Sequence, residues 1–100
     1  MKYEVSKNND QHVISLHGEI DLHFSPELRK VILSELESGQ LVLIDLDGVS
    51  YLDSSGVACF VEAYQFSKKN NREFYLTNIS ESVMQVFKLA RLDKVFPIKP

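Results

Sequence analysis

The chain has 100 residues, a formal net charge of −3 and 44% hydrophobic residues, which suits one small globular domain. The mildly acidic balance argues against a nucleic-acid-binding protein, which normally presents a basic face. The lone cysteine excludes an internal disulfide, and no apolar run approaches the roughly 20 residues that a bilayer span needs. We therefore expect a cytoplasmic protein that neither binds nucleic acid nor inserts directly into a membrane.

Two strands and a helix are predicted in the first part of the chain. Alternation around Tyr3 and Val5 predicts a half-buried strand, and a polar turn leads into an antiparallel second strand over residues 12–17. Ser25 is expected to cap a helix that has proline at its first position. Gly39 is expected to end that helix.

The middle of the chain predicts a second strand–helix unit. The unbroken apolar run 41–44 predicts a central strand that is buried on both faces. The polar stretch 45–54 is expected to form a loop, followed by a helix over residues 55–69. A short strand over residues 73–77 completes the unit.

The last part of the chain predicts a helix and a final strand. Asn78 and Glu81 resemble a capping box at the start of a helix that carries Val83 and Phe87. Residues 95–98 are expected to form an edge strand, because proline is poorly tolerated in the centre of a sheet. The element order predicts one α/β domain over residues 1–100, in which helices pack against a mixed sheet.

The sequence Asp53-Ser54-Ser55-Gly56 is the most informative segment, because it places two hydroxyls at a predicted helix start. Helix N-termini offer unpaired amides and a dipole that favours negative charge, so a phosphate on Ser55 would be tolerated there. It would add about −1.5 to −2 charges to the surface. Gly56 is expected to leave room for an approaching kinase or nucleotide. The alternative is that a serine simply caps the helix and that Gly56 is a small residue in its first turn.

Three segments together resemble the STAS domain family, the anti-sigma factor antagonists. Residues 18–21 resemble its G-x-(apolar)-D element, and residues 45–56 look like its signature loop. Residues 78–80 with the following helix, and then 92–96, resemble its C-terminal portion. The resemblance extends over essentially the whole chain and implies a sheet with helices mostly on one side.

The resemblance also implies a regulatory function without catalysis, cofactor or metal. An anti-sigma factor that is also a serine kinase would phosphorylate Ser55, which would release the antagonist, and a serine phosphatase would restore binding. Asp21 matches the family's acidic position near this loop, although an ordinary turn residue is the alternative. Asp53, Ser54 and Gly56 are expected to contact the partner. The chain is expected to be a monomer or a weak dimer.

A second candidate for partner binding lies on the helix predicted over residues 55–69. Cys59, Glu62 and Phe66 fall opposite its predicted core face, so an exposed apolar patch is expected beside the switch. The alternative is that the C-terminal helix covers this surface.

Three other interpretations compete with the phosphorylation switch. Asp45 and Asp47 resemble the nucleophile and acid/base of haloacid-dehalogenase-type Mg²⁺-dependent phosphatases, but no adjacent acidic pair follows. Some STAS-like proteins are subunits of lipid-transport ATPases, and such a subunit or a constitutive adaptor is a further alternative. His17, Asp21 and His23 are close in sequence but lack the spacing of a strong metal-ligand motif.

Overall fold

A mixed four-stranded sheet in the order β1-β2-β3-β4 forms one layer of the domain. The computed structural model describes residues 2–99. Strand β1 pairs antiparallel with β2, while β2, β3 and β4 run parallel, which confirms the predicted mixed α/β sheet. The elements are β1 Lys2–Lys7, β2 Gln11–Ile20, α1 Ser25–Glu37, β3 Leu41–Leu52, α2 Ser54–Asn70, β4 Phe74–Thr77 and α3 Glu81–Leu89.

The helices cover one face of the sheet. Because β2, β3 and β4 are neighbours in chain order, right-handed crossovers place α1 and α2 on the same side, where they pack together. On the opposite face Val13, Leu43 and Tyr75 lie in register and are only half-buried. The one-sided arrangement is therefore confirmed, and the predicted burial of β3 on both faces is wrong. The strand residues buried beneath the helices include Ile14, Leu16, Val42, Ile44, Phe74 and Leu76.

Three aromatic rings join α2, α3 and the C-terminal segment. Phe60 and Phe87 are fully buried, and Phe96 is 4% exposed. Their ring centroids lie 5.2–6.3 Å apart in edge-to-face contacts, each contributing about 0.5–1.5 kcal/mol beyond area burial. This cluster holds the last residues against the helical layer. No helix within residues 2–99 has the length and apolar character required to cross a membrane.

Two helix starts differ from the sequence prediction. Helix α1 is preceded by Phe24 at the N-cap, and Ser25 is buried within the first turn, so the predicted Ser25 cap is wrong. The backbone carbonyl of Asp21 accepts the amides of Phe24 and Ser25 instead. Helix α3 is capped by Ser80, whose hydroxyl accepts a first-turn amide at 3.3 Å. Asn78 lies two residues earlier, in a left-handed conformation with φ 57°.

The predicted final strand is reduced to a single parallel bridge between Leu76 and Ile98. The carbonyl of Pro97 accepts the Leu76 amide at 2.9 Å, and the amide of Lys99 donates to the Leu76 carbonyl at 2.9 Å. Proline carries no amide hydrogen, so a longer ladder is interrupted at this position.

Strand β3 is much longer than the sequence suggested. Residues 45–54 were expected to form a loop, but β3 continues to Leu52 and pairs with β2 as far as Ile20. Two irregularities break the register, and Gly18 lies at one of them with φ 91°, a conformation that favours glycine. Strand β4 ends opposite Asp45 and β1 pairs with β2 only as far as His17, so β2 and β3 alone extend beyond His17. The predicted phosphorylation motif, residues 53–56, lies at the far end of this two-stranded extension.

Candidate functional site

The ends of β2 and β3 bring the two predicted acidic residues together. Ile20 and Leu52 are paired in register, so the residues that follow them, Asp21 and Asp53, leave the sheet side by side. The amide of Asp53 donates to the carbonyl of Ile20 at 3.2 Å. Residues that are 32 positions apart in sequence thus form one site at the carboxyl end of the sheet.

Asp53 caps helix α2 with its side chain. Its Oδ1 atom accepts the amides of Ser55 at 2.9 Å and Gly56 at 3.2 Å, and the Ser55 hydroxyl at 2.5 Å. The hydrogen bond from the Ser55 hydroxyl, supported by the backbone amides, lowers the pKa of Asp53 below its usual range. The carboxylate is therefore ionised at neutral pH. The expectation that these amides are free for a phosphate is wrong, because Asp53 already occupies them.

The two neighbouring serines have different surroundings. Ser54 is exposed, while Ser55 is half-buried and its hydroxyl donates to Asp53. The sequence alone distinguished the two only through the family resemblance. The structure adds that Ser55 is held by a hydrogen bond in the first turn of α2.

Gly56 is required for close packing at the start of α2. A Cβ atom at this position would lie 2.3 Å from Leu52 Cδ1 and 2.8 Å from Ile20 Cγ2. The expectation that Gly56 leaves room for an approaching kinase or nucleotide is therefore wrong. Its missing side chain lets the first turn of α2 rest directly on the strand ends that carry the site.

Asp21 forms a turn that leads into α1. Its Oδ1 atom accepts the amides of His23 at 3.1 Å and Phe24 at 3.2 Å. This is the geometry of the Asx-type turn considered for this residue. Glu19, Asp21, His23 and Phe24 line a shallow surface depression of about 390 Å³ beside the site. A partner contact of Asp21 stays a prediction.

The histidines near this site take part in local packing. The ring of His17 fills the space over Gly48, where a Cβ would lie 2.2 Å from His17 Nδ1. His23 is exposed and belongs to the Asp21 turn. Within residues 2–99, no group of three or more histidine, cysteine, aspartate or glutamate side chains is placed to hold a metal ion.

Asp45 and Asp47 do not form the arrangement expected of a haloacid-dehalogenase-type phosphatase. Asp45 Oδ1 accepts the Asp47 amide at 2.9 Å and the Asn78 side-chain amide at 3.1 Å. Strand β3 runs through both aspartates instead of ending before a catalytic loop. Asp45 thus ties the end of β4 to the middle of β3.

The predicted apolar patch on α2 is covered. Cys59 is 5% exposed and Ala63 is fully buried, because α1 packs against this side of α2. The Cys59 thiol donates to the carbonyl of Ser25 at 3.2 Å, and burial raises the pKa of this thiol to about 11. Phe66 is half-buried against the core. The expectation of an exposed patch at Cys59 and Phe66 is wrong, and the covering element is α1 instead of the C-terminal helix.

Glu62, the remaining member of that predicted patch, forms an ion pair with Arg29 of α1. The two side chains are 42% and 53% exposed respectively. Arg29 was not predicted from the sequence, because Arg29 and Glu62 are 33 positions apart and no local spacing relates them.

Two exposed apolar side chains lie close in sequence to Asp21 and Asp53. Leu22 is 73% exposed and follows Asp21, and Tyr51 is 51% exposed and lies two residues before Asp53. We call Leu22 and Tyr51 the apolar rim. Neither residue was predicted from the sequence to contact a partner, although an apolar residue directly after a turn aspartate could have indicated an exposed apolar side chain. Contiguous apolar patches on a protein surface mark partner contacts, whereas single exposed apolar side chains are common.

The STAS domain family model matches residues 2–100. The chain belongs to the STAS domain family. The anti-sigma-B factor antagonist of Bacillus subtilis (strain 168) is 32% identical over 95 residues, which cover 95% of this chain and 87% of that protein.

Solved structures agree with this assignment. An anti-sigma factor antagonist from Mycobacterium paratuberculosis superposes with a TM-score of 0.84 and 26% identity, covering 99% of this chain and 85% of that one. The anti-sigma factor antagonist SpoIIAA in its unphosphorylated form gives a TM-score of 0.81, with 23% identity over 98% of this chain and 86% of that one. The SpoIIAA similarity is evidence for the fold alone.

Proposed function

We propose that this STAS domain is a cytoplasmic anti-sigma factor antagonist controlled by phosphorylation of Ser55. Its unphosphorylated form binds an anti-sigma factor that is also a serine kinase. Transfer of a phosphoryl group from ATP to Ser55 breaks this complex, and a serine phosphatase restores it. The chain binds and releases its partner and performs no catalysis itself.

The observation that carries the proposal is the Ser55 hydroxyl, which is partly accessible and hydrogen-bonded to the Asp53 carboxylate at 2.5 Å. This bond fixes the direction of the hydroxyl oxygen before a kinase arrives. The 32% identical relative that is named an anti-sigma-B factor antagonist supports the same function.

The local geometry provides a physical basis for the switch. A phosphoryl group replaces the hydroxyl hydrogen of Ser55, so Oγ no longer donates to Asp53. The new group carries about −1.5 to −2 charges and lies beside a carboxylate whose lowered pKa keeps it ionised. Because Asp53 holds the first-turn amides of Ser55 and Gly56, neither of these two donors is free for the phosphate. The phosphate changes the charge of the first turn of α2, and repulsion between the two anions changes its shape.

The apolar rim supplies a surface for the partner. Leu22 directly follows Asp21 and Tyr51 lies two residues before Asp53, so we expect a partner that contacts Ser54 and Ser55 to bury these two exposed side chains as well. A phosphate in the middle of such a contact would have to be desolvated, which costs free energy even when a cation is paired with it. Asp21 lies next to the rim and is proposed to contact the same partner.

Phosphate mapping tests the proposal. The protein is incubated with a cognate or related anti-sigma kinase and ATP, and the modified residue is located by mass spectrometry. We expect one phosphate on Ser55, which Ser55→Ala abolishes and Ser54→Ala retains. Stable binding without phosphate would contradict the switch and favour a constitutive adaptor or a transport-ATPase subunit.

A pair of leucine variants tests the apolar rim. Leu22→Asp should weaken kinase binding at least tenfold, about 1.4 kcal/mol, without changing the fold. Leu89→Asp is the matched control, because Leu89 is 85% exposed at the far end of α3, which runs back from the carboxyl end of the sheet. Equal effects of the two variants on binding would contradict a role for the rim.

A further inference from the structure

A groove between α1 and α2 runs from the phosphorylation motif to the Arg29–Glu62 ion pair. It has a volume of about 410 Å³, and Ser55, Arg29, Lys30 and Glu62 are among the residues that line it. Ser55 and Glu62 lie seven residues apart on α2, about 10 Å along the helix axis. Arg29 thus lines the same groove as Glu62 and Ser55, two positions that are both anionic once Ser55 is phosphorylated.

The pKa of the buried Cys59 thiol gives a second indication that Arg29, Glu62 and Asp53 lie near one another. Burial is the main cause that raises the pKa of this thiol, and the carboxylate of Glu62 is the next. The charge of Arg29 lowers the pKa, and the carboxylate of Asp53 raises it. Charges from α1, from the middle of α2 and from the cap of α2 therefore all act on the same thiol.

We propose that Arg29 is the counter-ion of the phosphate on Ser55 and that it leaves Glu62 when Ser55 is phosphorylated. This inference rests on the proposed phosphorylation of Ser55. A guanidinium binds phosphate oxygens through two parallel hydrogen bonds, and the phosphate carries more charge than the single carboxylate of Glu62. The existing pair is exposed on both sides, and exposed pairs of this kind are held weakly.

The exchange extends the effect of phosphorylation along α2. Glu62 loses its cation and becomes an unpaired surface carboxylate two helical turns from the modified residue. The phosphorylated protein therefore differs at two places on the α1–α2 surface. A partner that docks along this groove would meet additional negative charge at both.

The second ionisation of the phosphate reports its surroundings directly. Phosphoserine is encoded genetically at position 55, and its pKa, ordinarily about 6, is measured by ³¹P NMR. The charged groups facing it are Asp53, Arg29, Lys30 and Glu62. Since Arg29 stabilises the dianion, Arg29→Gln should raise this pKa by about half a unit. Lys30→Gln removes the same charge from the adjacent position and should change it less.

Glu62→Gln provides the opposite sign, because it removes the anion that competes for Arg29. It should lower the phosphate pKa, and this effect should shrink markedly in an Arg29→Gln background. An Arg29→Gln protein with an unchanged phosphate pKa would overturn the inference, as would equal shifts in Arg29→Gln and Lys30→Gln. Because the phosphoserine is encoded, failure of a kinase to modify Ser55 would count against the proposed function and would leave this titration intact.

Discussion

Replacement of Gly56 by alanine tests how closely the predicted phosphorylation motif packs against the ends of β2 and β3. In most helix positions, alanine in place of glycine stabilises a protein by about 0.5–1 kcal/mol. At this position the new Cβ would lie 2.3 Å from Leu52 Cδ1 and 2.8 Å from Ile20 Cγ2. Both contacts are far shorter than van der Waals separation, and both neighbours are buried at the strand ends.

The magnitudes decide the sign of the effect. Inserting a methyl group into a filled core costs about 1–3 kcal/mol, because neighbouring side chains or backbone must move. Because the new Cβ would lie only 2.3 and 2.8 Å from its neighbours, the upper part of this range applies, about 2–3 kcal/mol. After the helix-forming gain of about 0.5–1 kcal/mol is subtracted, we expect Gly56→Ala to lower the free energy of unfolding by about 1–2.5 kcal/mol. For a domain of this size, each kcal/mol corresponds to about 4–8 °C in the melting temperature.

Thermal unfolding followed by circular dichroism measures this effect. Ser54→Ala is the matched control, because it changes an exposed residue of the same helical turn and should stay within about 0.5 kcal/mol of the parent. A Gly56→Ala protein that melts at or above the parent temperature would refute the close packing. It would also restore the view that Gly56 lies beside open space.

Three further predictions concern the cap, the thiol and a buried polar pair. Asp53→Ala should lower the free energy of unfolding in urea by about 0.5–2 kcal/mol near neutral pH. Because the folded pKa of Asp53 lies below its unfolded value of 3.8, the part of this difference that requires an ionised carboxylate should be fully present above that value and be lost as the pH falls through the folded pKa. Cys59 should react with a disulfide reagent at about pH 8 at least ~100-fold more slowly in the folded protein than in denaturant, since its thiol is buried with a pKa of about 11. Glu35→Ala should cost about 1.5–3 kcal/mol in urea unfolding, because it removes the partner of His12 Nδ1 at 2.8 Å, and Glu35→Gln should cost less.

Strand β3 illustrates where local patterning stops being informative. The buried residues in its second half are Leu46, Val49 and Leu52, which do not follow the two-residue period of a regular strand. The register shifts between β2 and β3 explain this spacing, since an irregular pairing rotates the following side chains. With aspartates interspersed, the segment had the appearance of a polar loop.

The position of the Asp53–Gly56 segment at a helix start follows from the sequence, but its surroundings depend on contacts between distant residues. The placement of Ser55 at the start of α2 could be predicted from the pattern. Aspartate is a preferred N-cap residue, so the sequence also indicated Asp53 as the cap of α2, although only a serine was predicted there. The burial of Cys59 depends on Ser25, 34 residues away, and no helical wheel identifies which element covers a given face. The Arg29–Glu62 pair was missed for the same reason.

The most direct test of a phosphorylation switch at Ser55 compares two forms of the same protein, with serine or encoded phosphoserine at position 55. The affinity of each for the anti-sigma kinase is measured by isothermal titration calorimetry under identical conditions. We expect tight binding of the unmodified protein and at least about tenfold weaker binding of the phosphorylated form. Equal affinities of the two forms would contradict a phosphorylation switch at Ser55.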